Sequence, residues 1–294
     1  MRALQWGIMA PMLDKKLSID RPVRVENHWI AVSPSGPGSG SGSARLFAQR
    51  WVCAAAPCGA RPIVLMHDSL GCVALWRDLP AKLSAATSRP VIAYDRLGFG
   101  QSSAVVERPA LDFVAQEART GFAAVCAAFG IERCVVLGHS VGGGMALECA
   151  AQQPERVEAL ITISAQSFVE DRTREGIRAA KKAFAEPQLF ERLSRHHGDK
   201  ARWVLDAWTE TWLAPGFADW SLASVLPRVV CPVLAIHGEQ DEYGSAAHPR
   251  RIQQECAGPV QVALLAELGH TPHREDPARV IGLAADFLAG LAPS

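Results

Sequence analysis

Residues 135–144 read Val135-Val136-Leu137-Gly138-His139-Ser140-Val141-Gly142-Gly143-Gly144. Three apolar residues stop at a glycine, and a serine then stands between glycines. The Val/Leu run predicts a buried strand over 134–138, and the residues after the serine predict a helix over 141–153. A strand that reverses into a helix within one residue holds the residue at the turn in a strained backbone. Side chains two positions to either side would collide, so glycine is needed at 138 and 142. The serine hydroxyl is then displayed at a helix N-terminus, where amides and the helix dipole favour negative charge. A tight turn with a helix-capping serine has the same local pattern, so partners elsewhere in the chain must decide.

Outward from this stretch, apolar runs rich in Val and Ile recur at 62–67, 90–95, 157–163, 232–237 and 260–265. Runs that do not alternate with polar residues suit a parallel sheet covered on both faces. Helical patterns separate them, at about 74–87, 110–129 (with Leu111, Val114, Ala118, Phe122, Val125 and Phe129 on one face), 246–256 and 277–291. Asp276 and Pro277 suit the start of the last helix, and Gly130 and Gly258 fall where helices should stop. Strand and helix in alternation predict a doubly wound, mostly parallel α/β sheet. Two further strands are expected near 28–32 and 45–51. The Gly/Ser/Pro stretch 33–43 forms a loop between them, within an N-terminal extension over 1–44.

The rhythm breaks between 165 and 228, where helical spacing and the aromatics Phe168, Phe184, Phe190, Trp203, Trp208, Trp212, Phe217 and Trp220 replace the strand signal. This predicts a helical cap over a core formed by 45–164 and 229–294. The aromatics are read as mostly the cap's own core, with two or three facing a pocket.

The 294 residues are 49% hydrophobic and 20% charged, with 30 Lys/Arg against 30 Asp/Glu. That is a globular profile without the basic excess that nucleic acid or an anionic membrane would call for. No run approaches the roughly 20 apolar residues of a membrane span. Eight cysteines are scattered without a Cys-x-x-Cys pair, which predicts no metal site and reduced thiols in a cytoplasmic protein. A small-molecule substrate, no cofactor, and a monomer or homodimer are the matching expectations.

A serine nucleophile needs a base, and the base needs an orienting acid. Both must follow later strands to reach the same sheet edge. The segment after 232–237 offers Asp241, with Glu239 and Glu242 as alternatives, and the segment after 260–265 offers His270, with His273 as the alternative. His67 and His139 read as structural neighbours, and Asp95-Arg96 as an ion pair holding the loop that follows it.

The order Ser140, Asp241, His270, together with "MHDSLG", "AYDRLGFGQS", "LGHSVGGG", "AIHGEQDEYG" and "LGHTPHREDP", resembles the α/β-hydrolase superfamily over nearly the whole chain from about residue 45. The resemblance implies Ser140 as nucleophile, His270 as general base and Asp241 as the acid that orients it. It also implies an oxyanion hole made by the amide of Val141 and one from the His67-Asp68-Ser69 loop, assigned to Ser69, whose hydroxyl adds a third bond. The family pattern there is His-Gly, and Asp68 departs from it. Serine rather than aspartate at 140 argues against epoxide or halide chemistry. The implied activity is hydrolysis of a small to medium, largely apolar ester, thioester or lactone. Two alternatives stand: a carbon–carbon bond hydrolase of the aromatic-degradation type, although Thr271 and His139 replace the Trp and Asn usual there, and a binding protein without turnover.

Overall fold

The computed structural model describes residues 21–32 and 44–291. The expected loop at 33–43 and the first twenty residues of the expected extension lie outside them. The strands are β1 (Val23–Val32), β2 (Ala44–Cys53), β3 (Ile63–Met66), β4 (Val91–Tyr94), β5 (Cys134–His139), β6 (Val157–Ile163), β7 (Val233–Gly238) and β8 (Val260–Leu265). They form one sheet in the order β1-β2-β4-β3-β5-β6-β7-β8. β2 pairs antiparallel with β1 and β4, and the remaining pairings are parallel. β3, β4, β5 and β7 are buried at every position, as runs covered on both faces require, whereas β8 lies at the edge and is mostly half-buried.

The helices are α1 (Leu79–Thr87), α2 (Phe113–Arg119), α3 (Gly121–Phe129), α4 (Val141–Gln152), α5 (Asp171–Ala183), α6 (Pro187–His197), α7 (Ala201–Trp212), α8 (Ala247–Glu255), α9 (Pro272–Glu275) and α10 (Pro277–Ala289). Among the described residues no helix is long and apolar enough to cross a membrane. α4 is buried from Val141 to Ala151. Its run of Gly and Ala lets a helix lie this deep against the sheet, and larger side chains would hold it off. Asp276 caps α10 by accepting the Arg279 amide at 3.0 Å, as its sequence position suggests.

Three expectations need correction. The helix expected over 110–129 is two helices. The chain breaks at Thr120 (φ −113°, ψ −91°), whose hydroxyl donates to the Gln116 carbonyl at 3.0 Å, beside a half-buried Glu117 that accepts from the Tyr94 hydroxyl at 2.6 Å. Leu111 precedes the helix and is 49% exposed, so it belongs to no apolar face. The stretch 74–87 likewise divides into a short turn at Val73–Trp76 and then α1, because Pro80 suits a first helical turn and not a helix interior.

Asp95 and Arg96 do not form an ion pair. Successive residues at the end of a strand point to opposite faces, and each side chain holds a different loop. Arg96 donates to the Asp68 carbonyl at 2.8 Å and lies over the Phe99 ring. Asp95 accepts amides from Val73 (2.6 Å) and Gln101 (2.7 Å). Burial, only partly offset by these bonds, pushes the Asp95 carboxyl from its ordinary 3.8 up to about 6. A carboxyl raised in this way stabilises the fold fully below about pH 4 and loses that contribution as pH climbs through 6. Between those limits the protein should lose about 2–3 kcal/mol relative to Asp95→Asn. Denaturant unfolding of both proteins across pH 4–8 measures this, and parallel curves would refute it.

α5, α6 and α7 fill the interval between β6 and β7. The two ends of the interval meet at its neck, where Leu222 donates to the Ser167 carbonyl (2.8 Å) and Val169 to the Trp220 carbonyl (3.2 Å). Its aromatics divide in two. Trp212 and Phe217 are buried in the sheet's own core, while Phe184, Phe190, Trp203 and Trp208 pack against Phe99, Leu193 and Leu205.

Candidate active site

β3 pairs with β4 on one side and β5 on the other, so the strand order reverses there. The loops leaving the carboxyl ends of β3 and β5 diverge at such a point and leave a crevice between them. Ser140 stands in it, directly after β5 and at the start of α4. Its backbone lies at φ 56° and ψ −124°, a strained conformation for a residue with a side chain. The glycines two positions away permit it. A Cβ at Gly138 would lie 2.1 Å from the Gly142 carbonyl oxygen, and one at Gly142 would lie 2.2 Å from that of Met66. Val141 opens α4, and an amide of the first turn has no acceptor within its helix. The His67 carbonyl is 2.7 Å from that same absent Cβ, so the β3 loop rests against the elbow.

His270 and Asp241 arrive at the same edge from the loops after β8 and β7. His270 Nε2 lies 3.0 Å from Ser140 Oγ, and Nδ1 lies 2.9 and 2.8 Å from the two carboxylate oxygens of Asp241. Nδ1 donates to the carboxylate and leaves Nε2 free to accept the serine proton. Asp241 also accepts the amides of Tyr243 (2.7 Å) and Gly244 (3.1 Å). Burial alone would raise its carboxyl, but the hydrogen bond and charge of His270, with the Tyr243 amide and His237, hold it below the usual carboxylate range. Ser140 is 4% and Asp241 1% exposed. A buried hydroxyl, imidazole and carboxylate in one hydrogen-bonded line can move a proton from the hydroxyl as it attacks an electrophile.

The alternatives stand elsewhere. His273 packs its ring against His139 (4.5 Å) and Trp76 (5.3 Å), and it is Asp241 rather than Glu239 or Glu242 that meets His270. His67 accepts the Arg96 amide at 3.1 Å and donates to the Asp68 carbonyl at 2.8 Å, a supporting role for the loop. Ser69 follows on that loop and is half-buried.

Three neighbours, and the partner of Asp68, escaped the sequence reading. Gln166 Oε1 is 3.4 Å from Ser140 Oγ. Glu275 accepts from the Gly269 amide (2.7 Å), the Thr271 amide (3.0 Å) and the Thr271 hydroxyl (3.0 Å), which clamps the turn that carries His270. From α6, His197 accepts the Gly100 amide (2.9 Å) and donates to the Leu70 carbonyl (3.0 Å), so the helices between β6 and β7 are bolted to the β3 and β4 loops. Asp68 lies 3.4 Å from Nδ1 of His139. Only the Thr271-x-x-x-Glu275 spacing before α10 was a legible signal, as an end-of-helix bond.

A cavity of about 690 Å³ opens at the opposite edge of the sheet, lined by Arg61, Arg89, Arg133 and Glu158 among others. Arg61 and Arg89 both pair with Glu158 there, and none of the groups around Ser140 reaches it.

Comparison with known proteins agrees with this architecture. Over 113 residues the chain is 36% identical to human 1-acylglycerol-3-phosphate O-acyltransferase ABHD5, covering 37% of this chain and 31% of that one. The chain thus spans about a third of that relative's length. It is 26% identical over 272 residues to an uncharacterised Mycobacterium tuberculosis protein, Rv2715, with 80% and 78% of the two chains covered. Among solved structures it resembles 2-hydroxy-6-oxo-6-phenylhexa-2,4-dienoate hydrolase of Rhodococcus (TM-score 0.72, 18% identity, 91% and 100% covered). A thermophilic esterase from Thermogutta terrifontis is also similar (TM-score 0.64, 19% identity, 90% and 98% covered). Identities this low speak for the fold. The model of the alpha/beta hydrolase family matches residues 63–283, and this chain belongs to that family.

Proposed function

We propose that the protein is a serine hydrolase that cleaves a small to medium, largely apolar carboxylic ester, or the related thioester or lactone, through an acyl-enzyme on Ser140. The observation that carries this reading is the line Ser140–His270–Asp241, at 3.0 and 2.8 Å, on a strained turn at the head of a helix. Ser140 Oγ attacks the acyl carbon while its proton passes to His270 Nε2. The tetrahedral oxyanion takes N–H bonds from Val141 and from the 67–69 loop, with Ser69 as the second donor. Collapse expels the alcohol, which leaves with the proton from His270. Water, deprotonated by His270, then releases the acid. Asp241 keeps the Nδ1–H in place and stabilises the imidazolium.

The helices between β6 and β7 serve as the cap. Trp203 of α7 meets Phe99 of the β4 loop at 5.5 Å, and an aromatic lid of this kind excludes water from an acyl intermediate. Its apolar character favours an apolar acyl or alcohol group. The test is a panel of p-nitrophenyl esters from acetate to octanoate, a thioester and a lactone, with fluorophosphonate labelling read by mass spectrometry. Release of nitrophenol and a label on Ser140 are expected. Protein that neither turns over any of these nor takes the label is not a serine hydrolase.

A further inference from the structure

A carboxylate in an oxyanion loop poses a problem. The loop's task is to favour negative charge on the substrate oxygen, and a bare anion beside it works the other way. Asp68 is such a group, fixed in place through its own backbone. Its carbonyl accepts from Arg96 (2.8 Å), His67 (2.8 Å) and the Gly71 amide (3.3 Å). Its side chain turns inward. A Cβ at Gly71 would lie 2.1 Å from Asp68 Oδ1, so glycine there is what leaves room for the carboxyl.

The group it faces is His139, the residue before Ser140. Nδ1 of that ring is 3.4 Å from Asp68 Oδ2, and Nε2 is 2.8 Å from the backbone carbonyl oxygen of His270. The His139 side chain is 2% exposed, so water does not stand in for either contact. A carbonyl only accepts hydrogen bonds, and an ionised carboxylate does too. Nε2 must therefore carry a proton for the carbonyl. Nδ1 would then set a lone pair against the half-buried Asp68 anion, unless one further proton sits between it and Oδ2.

We propose that Asp68 and His139 hold that proton jointly, as a pair with no net charge, and act as positioning residues. The pair ties the oxyanion loop and the His270 loop to the elbow while keeping a free negative charge away from the reacting oxygen. The inference rests on the hydrolase reading. Burial pulls the His139 imidazole below its usual value despite Asp68. His139 in turn carries the Asp68 carboxyl well below the usual carboxylate range despite burial. Both shifts alone would leave a neutral imidazole beside an ionised carboxylate, and it is the acceptors at both ring nitrogens that keep the proton between the two. The other charged or titratable groups facing the pair are His67, Cys72 and Arg96 from the β3 and β4 loops, His197 from α6, Tyr243 from the β7 loop, His270, and His273 and Arg274 from α9.

The pairing predicts an asymmetry between its members. His139→Asn removes the group that neutralises Asp68, and an unneutralised carboxylate favours the protonated, inactive base. The ascending limb of the kcat/KM profile for a p-nitrophenyl ester should move up by about one pH unit, and kcat should fall at least about tenfold. Asp68→Asn keeps a partner for Nδ1, through the amide N–H, without changing net charge. It should leave the limb within about 0.3 unit, whatever its effect on kcat. The double variant should return the limb to its original place. A limb that Asp68→Asn lowers by a full unit, or that His139→Asn leaves where it was, overturns the pair. A readout without turnover guards against a misfolded variant and against failure of the hydrolase reading. In Ser140→Ala protein, proton NMR should show a downfield resonance that Asp68→Asn or His139→Asn abolishes, and its absence there also overturns the proposal. Wild-type protein inactive on every ester, yet showing that resonance, sinks the hydrolase reading and leaves the pair standing.

Discussion

On the proposed hydrolase reading, Ser140→Ala is expected to lower turnover of a p-nitrophenyl ester at least about a thousandfold, because the change removes the atom proposed to form the acyl bond. The fold should not notice. The Ser140 amide donates to the Ile163 carbonyl at 2.9 Å and its carbonyl accepts from Gly143 at 2.9 Å, and alanine retains both. The hydroxyl's own bonds run only to His270 and Gln166. The strained φ of 56° is borne equally by serine and alanine. Melting temperature and circular dichroism should therefore match wild type while fluorophosphonate labelling disappears. Full activity in this variant would move the nucleophile elsewhere, and lost activity with lost folding would leave Ser140→Gly as the measurement to make.

Gly142→Ala is expected to damage both stability and turnover. Its Cβ would meet two main-chain oxygens, of Met66 at 2.2 Å and of His67 at 2.7 Å. Neither can rotate away, since Met66 ends a strand that pairs on both sides. The β3 loop must retreat from α4, at a cost of about 3 kcal/mol or more, near the upper end for point substitutions. That corresponds to a melting temperature lower by about 6–12 °C. The same retreat draws the 67–69 loop away from the Val141 amide. A displacement of about 1 Å between groups proposed to converge on one oxygen costs on the order of a hundredfold in rate. Gly144→Ala is the control, since a Cβ there meets nothing closer than the Gln166 carbonyl at 3.4 Å. It should fold and turn over like wild type. If Gly142→Ala did so as well, the close approach of loop and elbow would not be needed.

Much of this arrangement was legible before any coordinates because it rests on local constraints. The unbroken Val/Ile runs predict buried strands, since only a sheet covered on both faces can bury both sides of each strand. Ser140 between glycines predicts the elbow, since no other residue fits where a Cβ at 142 would strike the Met66 carbonyl. Asp241 and His270 are among the candidates that follow the last two strands, since parallel strands deliver their trailing loops to one edge, and the resemblance to α/β-hydrolases selected them over Glu239, Glu242 and His273. What failed was also local. Leu111 matched the helical period, and the half-buried Glu117, bonded to Tyr94, lay inside a stretch that read as one continuous helix.

The strands, the turn at Ser140 and a short set of candidate partners for that serine are legible in the sequence, because unbroken Val/Ile runs and glycine sterics leave few alternatives. Only the tertiary structure decided what surrounds the line Ser140–His270–Asp241. Asp68 meets His139, His197 meets Gly100 and Leu70, and Gln166 meets Ser140, across separations of 71, 97, 127 and 26 residues. Such contacts leave no periodic trace. Each depends on where a loop comes to rest once the strands beneath it have paired, and on whether two buried polar groups can satisfy each other there.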